Sequence, residues 1–85
     1  MIQVRIFGPL REKIGIGSLE VDASQAGTVD ELLTAVSEMT RAAKGSELRK
    51  ASILVNGTSI TSLKLRRTPV TSGDEVVLLS PVGGG

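Results

Sequence analysis

The chain contains no cysteine and no histidine. Disulfide scaffolds, thiol nucleophiles, iron–sulfur ligation by cysteine and imidazole bases are therefore excluded, together with the usual zinc ligands. Aromatic residues are almost absent: Phe7 stands alone, with no Trp or Tyr. Stacking platforms for single-stranded nucleic acid are thus missing. No apolar run approaches the ~20 residues that span a bilayer. The opening Met1-Ile2-Gln3-Val4-Arg5-Ile6-Phe7 is too short and too alternating for a signal peptide. A net charge of +1 over 85 residues gives no strong field toward nucleic acid or membrane. These absences predict a cytoplasmic protein that binds no metal, nucleic acid or membrane.

What is present is aliphatic. Apolar residues make up 40% of the chain, nearly all Ile, Leu, Val and Ala. That composition argues against disorder and suits one small sheet-and-helix domain with a modest core. Residues 2 to 7 alternate, with Ile2, Val4 and Ile6 on one face and Gln3, Arg5 and Phe7 on the other, as in a half-buried strand. Gly8-Pro9 breaks it. Residues 10 to 16 read as a connection with at most one helical turn. Ser18 to Asp22 reads as a second strand, Leu19 and Val21 facing inward.

Thr28-Val29-Asp30-Glu31 has the form of a capping box, with the Glu31 side chain reaching back to the Thr28 amide. Val29, Leu32, Leu33, Val36 and Met39 then fall on one helical face. The spacing predicts a helix over 29–43, with Arg41 and Lys44 at its negative end and Gly45 as its stop. Ser52 to Val55 is a third strand, turned by Asn56-Gly57 into a short return at 58–60. Residues 62 to 67 are ambiguous. Residues 68 to 74 form a turn, with Gly73 at positive φ. Glu75 to Ser80 is the last strand, apolar on both faces and so central in its sheet. Two hairpins around one helix and a long closing strand describe an α+β, β-grasp domain: a mixed sheet packed on one main helix. The expected division is a domain over 1–80 and a flexible glycine tail over 81–85.

That tail is the most informative segment. Gly83, Gly84 and Gly85 follow Ser80-Pro81-Val82 directly. Glycine lacks a Cβ and can follow a channel too narrow for a side chain. Residues 81 to 85 span at most ~18 Å when extended. The arrangement presents the Gly85 carboxylate as a handle to another enzyme's active site. The alternative is a frayed end or an expression remnant on a pure β-grasp binding module. Deleting Gly84 and Gly85 separates the two, because a binding module keeps its role without them.

Asn56-Gly57 after an apolar strand, Thr68-Pro69-Val70 before Gly73-Asp74-Glu75-Val76, and the closing Ser80-Pro81-Val82-Gly83-Gly84-Gly85 resemble the ubiquitin-like sulfur carriers (MoaD/ThiS-like). Among these the sequence most resembles the small subunit of molybdopterin synthase. The likeness extends over essentially the whole chain. It departs where family members often carry two aromatics (Leu78 and Leu79 here), a proline (Ser80) and a slightly larger residue (Gly83). The pattern is shared with archaeal ubiquitin-like modifiers.

The resemblance implies a carrier with no catalytic groups and no bound cofactor. Gly85 is adenylated by an E1-like activating enzyme that consumes ATP, and is then converted to a thiocarboxylate. Gly83 and Gly84 thread the partner's channel. The terminal sulfur is donated with the large synthase subunit, for molybdopterin in the closest likeness. Thiamin formation, tRNA thiolation or conjugation to lysines are the alternatives, because the same adenylate serves each.

Strand alternation supplies candidate contact residues. Phe7, Leu54 and Leu79 fall off the core faces, with Val77 as a fourth candidate and Val82 at the root of the tail. Contiguous apolar area of this kind marks a docking patch, unless a loop covers it or a bulge shifts the parity. Lys64, Arg66 and Arg67, with Arg49 and Lys50 nearby in sequence, read as a solvated face or as a steering patch for an acidic partner. Asp74 and Glu75 point to opposite sides of a strand and are turn residues rather than an acid/base pair.

Overall fold

The computed structural model describes residues 1–40, 48 and 50–80. The alternation of Ile2, Val4 and Ile6 becomes strand β1 (Ile2–Ile6), with all three side chains fully buried. The chain then enters helix α1 (Gly8–Ile14), strand β2 (Ser18–Val21), helix α2 (Val29–Thr40), strands β3 (Ser52–Val55) and β4 (Thr58–Ser59), and finally β5 (Glu75–Leu79). The five strands form one mixed sheet in the order β2-β1-β5-β3-β4. β1 and β5 pair in parallel, Val4 opposite Val76 and Ile6 opposite Leu78; the other pairings are antiparallel.

The last strand is central, as its two apolar faces predicted. One face of the sheet, carrying Val4, Ile6, Ile53, Val55, Val76 and Leu78, packs with Val29, Leu32, Leu33 and Val36 of α2 in a single core. Each such side chain withdrawn from water contributes roughly 1.5–3 kcal/mol. The expected β-grasp sheet on one main helix is therefore present.

Several local expectations are corrected. The connection after β1 is a two-turn helix. Pro9 opens α1, where its missing amide donor costs nothing, and Leu10 and Ile14 bury one face at i, i+4. Phe7 is no longer in the strand; it is the N-cap residue of that helix. A single turn of 3₁₀ helix at Ala23–Gln25 precedes α2. The capping box is half of the expected one. The Thr28 hydroxyl accepts from the Glu31 amide at 3.3 Å, but the Glu31 carboxylate accepts from Gly27 at 2.7 Å rather than from Thr28. The return after β3 covers only Thr58–Ser59, since Ile60 starts a 3₁₀ turn. A second 3₁₀ turn, Leu65–Arg67, occupies the ambiguous stretch. The expected end of α2 at Arg41, Lys44 and Gly45 lies outside the described residues, as does Arg49.

The turns are fixed by backbone and carboxylate chemistry together. Asn56 and Gly57 both take positive φ (51° and 86°), as a two-residue hairpin of this twist requires. Gly73 is at 94°. Asp74 then ties the two turns together. Its carboxylate accepts from the Asn56 side-chain amide at 3.0 Å and from the Thr71 backbone amide at 2.8 Å, while the Asn56 side-chain oxygen Oδ1 accepts from the Glu75 backbone amide at 2.9 Å. These donors, Asn56 first and then the Thr71 amide, hold the Asp74 carboxyl below the usual aspartate range. The Ser24 amide does the same for Asp22.

A carboxylate whose folded pKa is depressed favours the native state above its unfolded pKa, and that contribution is lost as pH falls through the folded value. Stability from Asp74 is thus complete above about pH 4 and declines in more acidic solution. Asp74→Asn should lower the urea midpoint at neutral pH and flatten its decline below about pH 4. Parallel pH profiles for the two proteins would argue against this role.

Candidate functional site

The site is the end of the sheet from which the tail departs, with the open sheet face beside it. Facing away from α2 are the residues between the buried ones: Gln3 and Arg5 of β1, Glu75, Val77 and Leu79 of β5, and Ser52 and Leu54 of β3. Register aligns them in rows. Arg5 lies beside Val77, Val77 beside Leu54, and Leu79 beside Ser52. Leu54, Val77 and Leu79 are half-buried, on the face away from the core residues Ile53, Val55, Val76 and Leu78, so the strand parity read from the sequence is the observed one. Phe7 is 42% exposed. Its backbone is extended and its amide donates to the Leu78 carbonyl at 3.0 Å. It thus stands one step beyond Ile6, as Leu79 stands one step beyond Leu78.

An aliphatic strip with an aromatic neighbour results, edged by charge. The Arg5 guanidinium contacts the Glu75 carboxylate at 2.9 Å across the two strands, with both side chains about half exposed. An exposed pair of this kind is worth little in stability, ~0–1 kcal/mol. It does set a polar border to the apolar strip. Asp74 and Glu75 have separate partners, as expected of turn and strand-start residues.

Sequence reasoning missed two features here. One is a cleft of about 420 Å³ over the outward side of β1 and the start of β2, lined by Arg5, Phe7, Arg11 and Gly17 among others. A Cβ on Gly17 would come within 2.8 Å of Arg11 Nε, so this glycine makes room for the guanidinium. The signal for α1 was available in Pro9 and the Leu10–Ile14 spacing, and recognising that helix would have located Arg11.

The other is Ser80, read as the end of the strand. Its hydroxyl accepts the Leu10 amide of the first turn of α1 at 3.0 Å. Gly8, at φ 69°, packs against it; a Cβ there would sit 3.4 Å from the Ser80 oxygen in a backbone region that favours glycine. The chain therefore leaves β5 pinned to the start of α1, directly beside Phe7. Val82, Gly83, Gly84 and Gly85 follow this anchor in sequence and lie outside the described residues.

No cluster of ligands that could hold a metal ion occurs among the described residues, and no helix among them is long and apolar enough to cross a membrane.

Comparison with known proteins agrees with this architecture. The ThiS family model matches residues 4–85. An Archaeoglobus fulgidus protein named as a candidate sulfur carrier is 34% identical over 87 residues, covering 89% of this chain and 93% of the relative. The solution structure of small archaeal modifier protein 1 from Methanosarcina acetivorans superposes with a TM-score of 0.80 at 27% identity, covering 99% of this chain and 95% of that one. The complex of subunits 1 and 2 of the molybdopterin-converting factor from Helicobacter pylori contains a similar chain. There the TM-score is 0.65 at 28% identity, with 99% and 97% covered.

The Ser80 anchor generates a direct expectation. Ser80→Ala leaves the Leu10 amide without its acceptor and should cost about 0.5–1.5 kcal/mol of stability. Hydrogen exchange at the Leu10 amide should accelerate by more than the global change in stability explains. Unchanged protection of that amide would show that the hydroxyl does not fix the tail's point of departure.

Proposed function

The chain belongs to the ThiS family of small ubiquitin-like sulfur carriers, which are not themselves enzymes, and on that premise we propose that it carries sulfur on Gly85 for molybdopterin synthesis. The observation that carries the reading is the anchored exit. The central strand ends at Leu79, Ser80 is held by α1, and the next five residues end in three glycines. Ser80 itself lies beside the start of α1, where the one exposed aromatic, Phe7, stands next to the aliphatic strip.

A carboxylate is a poor acyl donor because oxide is a hopeless leaving group. The α-carboxyl of Gly85, with a reference pKa near ~3.5, is ionised at neutral pH. One of its oxygens attacks the α-phosphorus of ATP and pyrophosphate leaves. A hydrosulfide equivalent from a donor then attacks the acyl carbon, AMP departs with the carbon–oxygen bond, and a thiocarboxylate remains. The acids, bases or metals of these steps, and the ATP site, belong to an E1-like adenylating enzyme; this chain contributes a narrow peptide end that carries the reacting carboxylate and no charged side chain beside it. Gly83 and Gly84 thread the channel that leads into the partner's pocket.

The loaded sulfur is next delivered in the active site of a larger synthase subunit. Phe7, Leu54, Leu79 and Val82 form the surface on which both partners dock. The likeness to one half of the Helicobacter molybdopterin-converting complex supports this destination. The likeness to an archaeal modifier protein supports a second reading, in which a lysine amine captures the same adenylate and forms an isopeptide. The setting proposed for either reaction is the cytoplasm.

Intact-mass analysis after incubation with the adenylating enzyme, ATP and a sulfide donor tests the chemistry. An oxygen-to-sulfur increase confined to the C-terminal peptide is expected, and none after deletion of Gly84 and Gly85. A chain that is adenylated but takes up no sulfur would sink the carrier reading in favour of the modifier.

The docking surface has its own test. Phe7→Ala and Leu79→Asp should each weaken binding to the adenylating enzyme by about tenfold or more, the scale of an interface anchor. Phe7→Ala should leave the melting temperature nearly unchanged. Unaltered affinity with a large loss of thermal stability would make these residues structural.

A further inference from the structure

The segment after β4 is a built surface that the tail chemistry leaves unused. Between Ile60 and Ser72 the sequence holds three cations and no acidic residue. Lys64, Arg66 and Arg67 are exposed, and among them stand Leu63 and Leu65, 43% and 57% exposed. A merely solvated basic face has no reason to lift leucines into water.

The backbone here is held in an unfavourable form. Leu65 has φ 53°, left-handed; among the described residues the other non-glycine with positive φ is the turn residue Asn56. For a bulky residue that conformation is strained, and it persists only where its surroundings over-determine it. The surroundings are Thr68, buried to 4% exposure. Its hydroxyl accepts the Lys64 amide at 3.1 Å and donates to the Leu65 carbonyl at 2.6 Å. The Thr68 amide donates to the same carbonyl at 3.0 Å, and the Thr68 carbonyl accepts the Val29 amide at the start of α2 at 2.9 Å. A buried threonine thus ties the strained peptide to the start of the helix, and two exposed leucines stand among the cations. Hollows of about 590 and 410 Å³ lie against this segment, and Lys64 lines both.

We propose that Leu63 to Arg67 form a second docking surface, for a protein segment rich in carboxylates that carries aliphatic anchors. The cations pair with the carboxylates and the hollows beside Lys64 receive the aliphatic groups. Nucleic acid fits poorly, because no aromatic is present for stacking and leucines gain nothing from phosphates. A membrane surface fits poorly too: two short 3₁₀ turns with two leucines lack the broad apolar face of an interfacial helix. The following residues, Pro69 and Val70, pair with Thr28 and Gly27, and the chain reaches Asp74 at the start of β5. The tail leaves from the other end of that strand. One partner can therefore hold the protein here while another works on the terminus.

The test uses the full ¹⁵N-labelled chain and a synthetic helical peptide of Glu and Leu, with Gln/Leu and Glu/Ala peptides as controls. The Glu/Leu peptide should shift amides within residues 60 to 68 saturably and leave 75 to 79 unmoved. Both controls should bind at least tenfold more weakly. Leu65→Gly, which relieves the backbone and removes one anchor, should weaken binding about fivefold with an equal or higher melting temperature. Lys64→Glu with Arg67→Glu should abolish binding. Removal of Gly84 and Gly85 should change nothing, so failure here leaves the carrier chemistry standing. Equal binding by the Glu/Ala peptide, shifts centred elsewhere, or tighter binding to phosphatidylserine vesicles or a single-stranded oligonucleotide would each overturn the proposal.

Discussion

The parallel pairing of β1 with β5 is the contact on which the remaining architecture depends. It joins strands from opposite ends of the chain, and its inward residues, Val4, Ile6, Val76 and Leu78, are fully buried. Because β5 is also paired with β3 on its other side, each inward residue of the last strand is flanked by two neighbours and covered by the core. The outward residues of the same strand build the aliphatic strip. One strand thus fixes the core, the open face and the point from which the tail departs. A slip of one residue in its register would exchange Leu78 for Leu79 and turn the aliphatic strip inward.

The pattern of strands was legible because burial on one face imposes a period of two. Ile2, Val4 and Ile6 declared their strand, and Val76 through Leu79, apolar throughout, declared a central one. Asn56-Gly57 and Gly73 declared their turns because few residues tolerate those angles. What escaped notice was held by single polar contacts with no periodic signature. The Ser80 hydroxyl and the Leu10 amide are seventy residues apart in sequence. Thr68 looks like any turn threonine until burial shows it clamping Leu65. The Leu63–Arg67 stretch was read by its charges; that its leucines stand exposed follows from a left-handed residue that propensity alone would disfavour.

The two surfaces differ in construction. The strip of Leu54, Val77 and Leu79 is half-buried and lies on the outward face of the sheet. The Leu63–Arg67 segment is exposed and charged, and Thr68 ties it to the start of α2. A net charge of +1 conceals this division, since the cations of the segment are balanced by carboxylates elsewhere, among them Asp30 and Glu31 in the first turn of α2.

The late position of the central strand bears on protein synthesis. Until the ribosome has delivered Leu79, the sheet lacks its middle member, and Ile6 and Ile53 have no partner to close against. Such non-local closure comes last and cannot be rehearsed by the nascent amino-terminal half. Translation products truncated before β5 lack the strand that joins β1 to β3 and cannot close this sheet. The folded population is thereby screened for molecules whose decoding ran at least to the residue before Ser80.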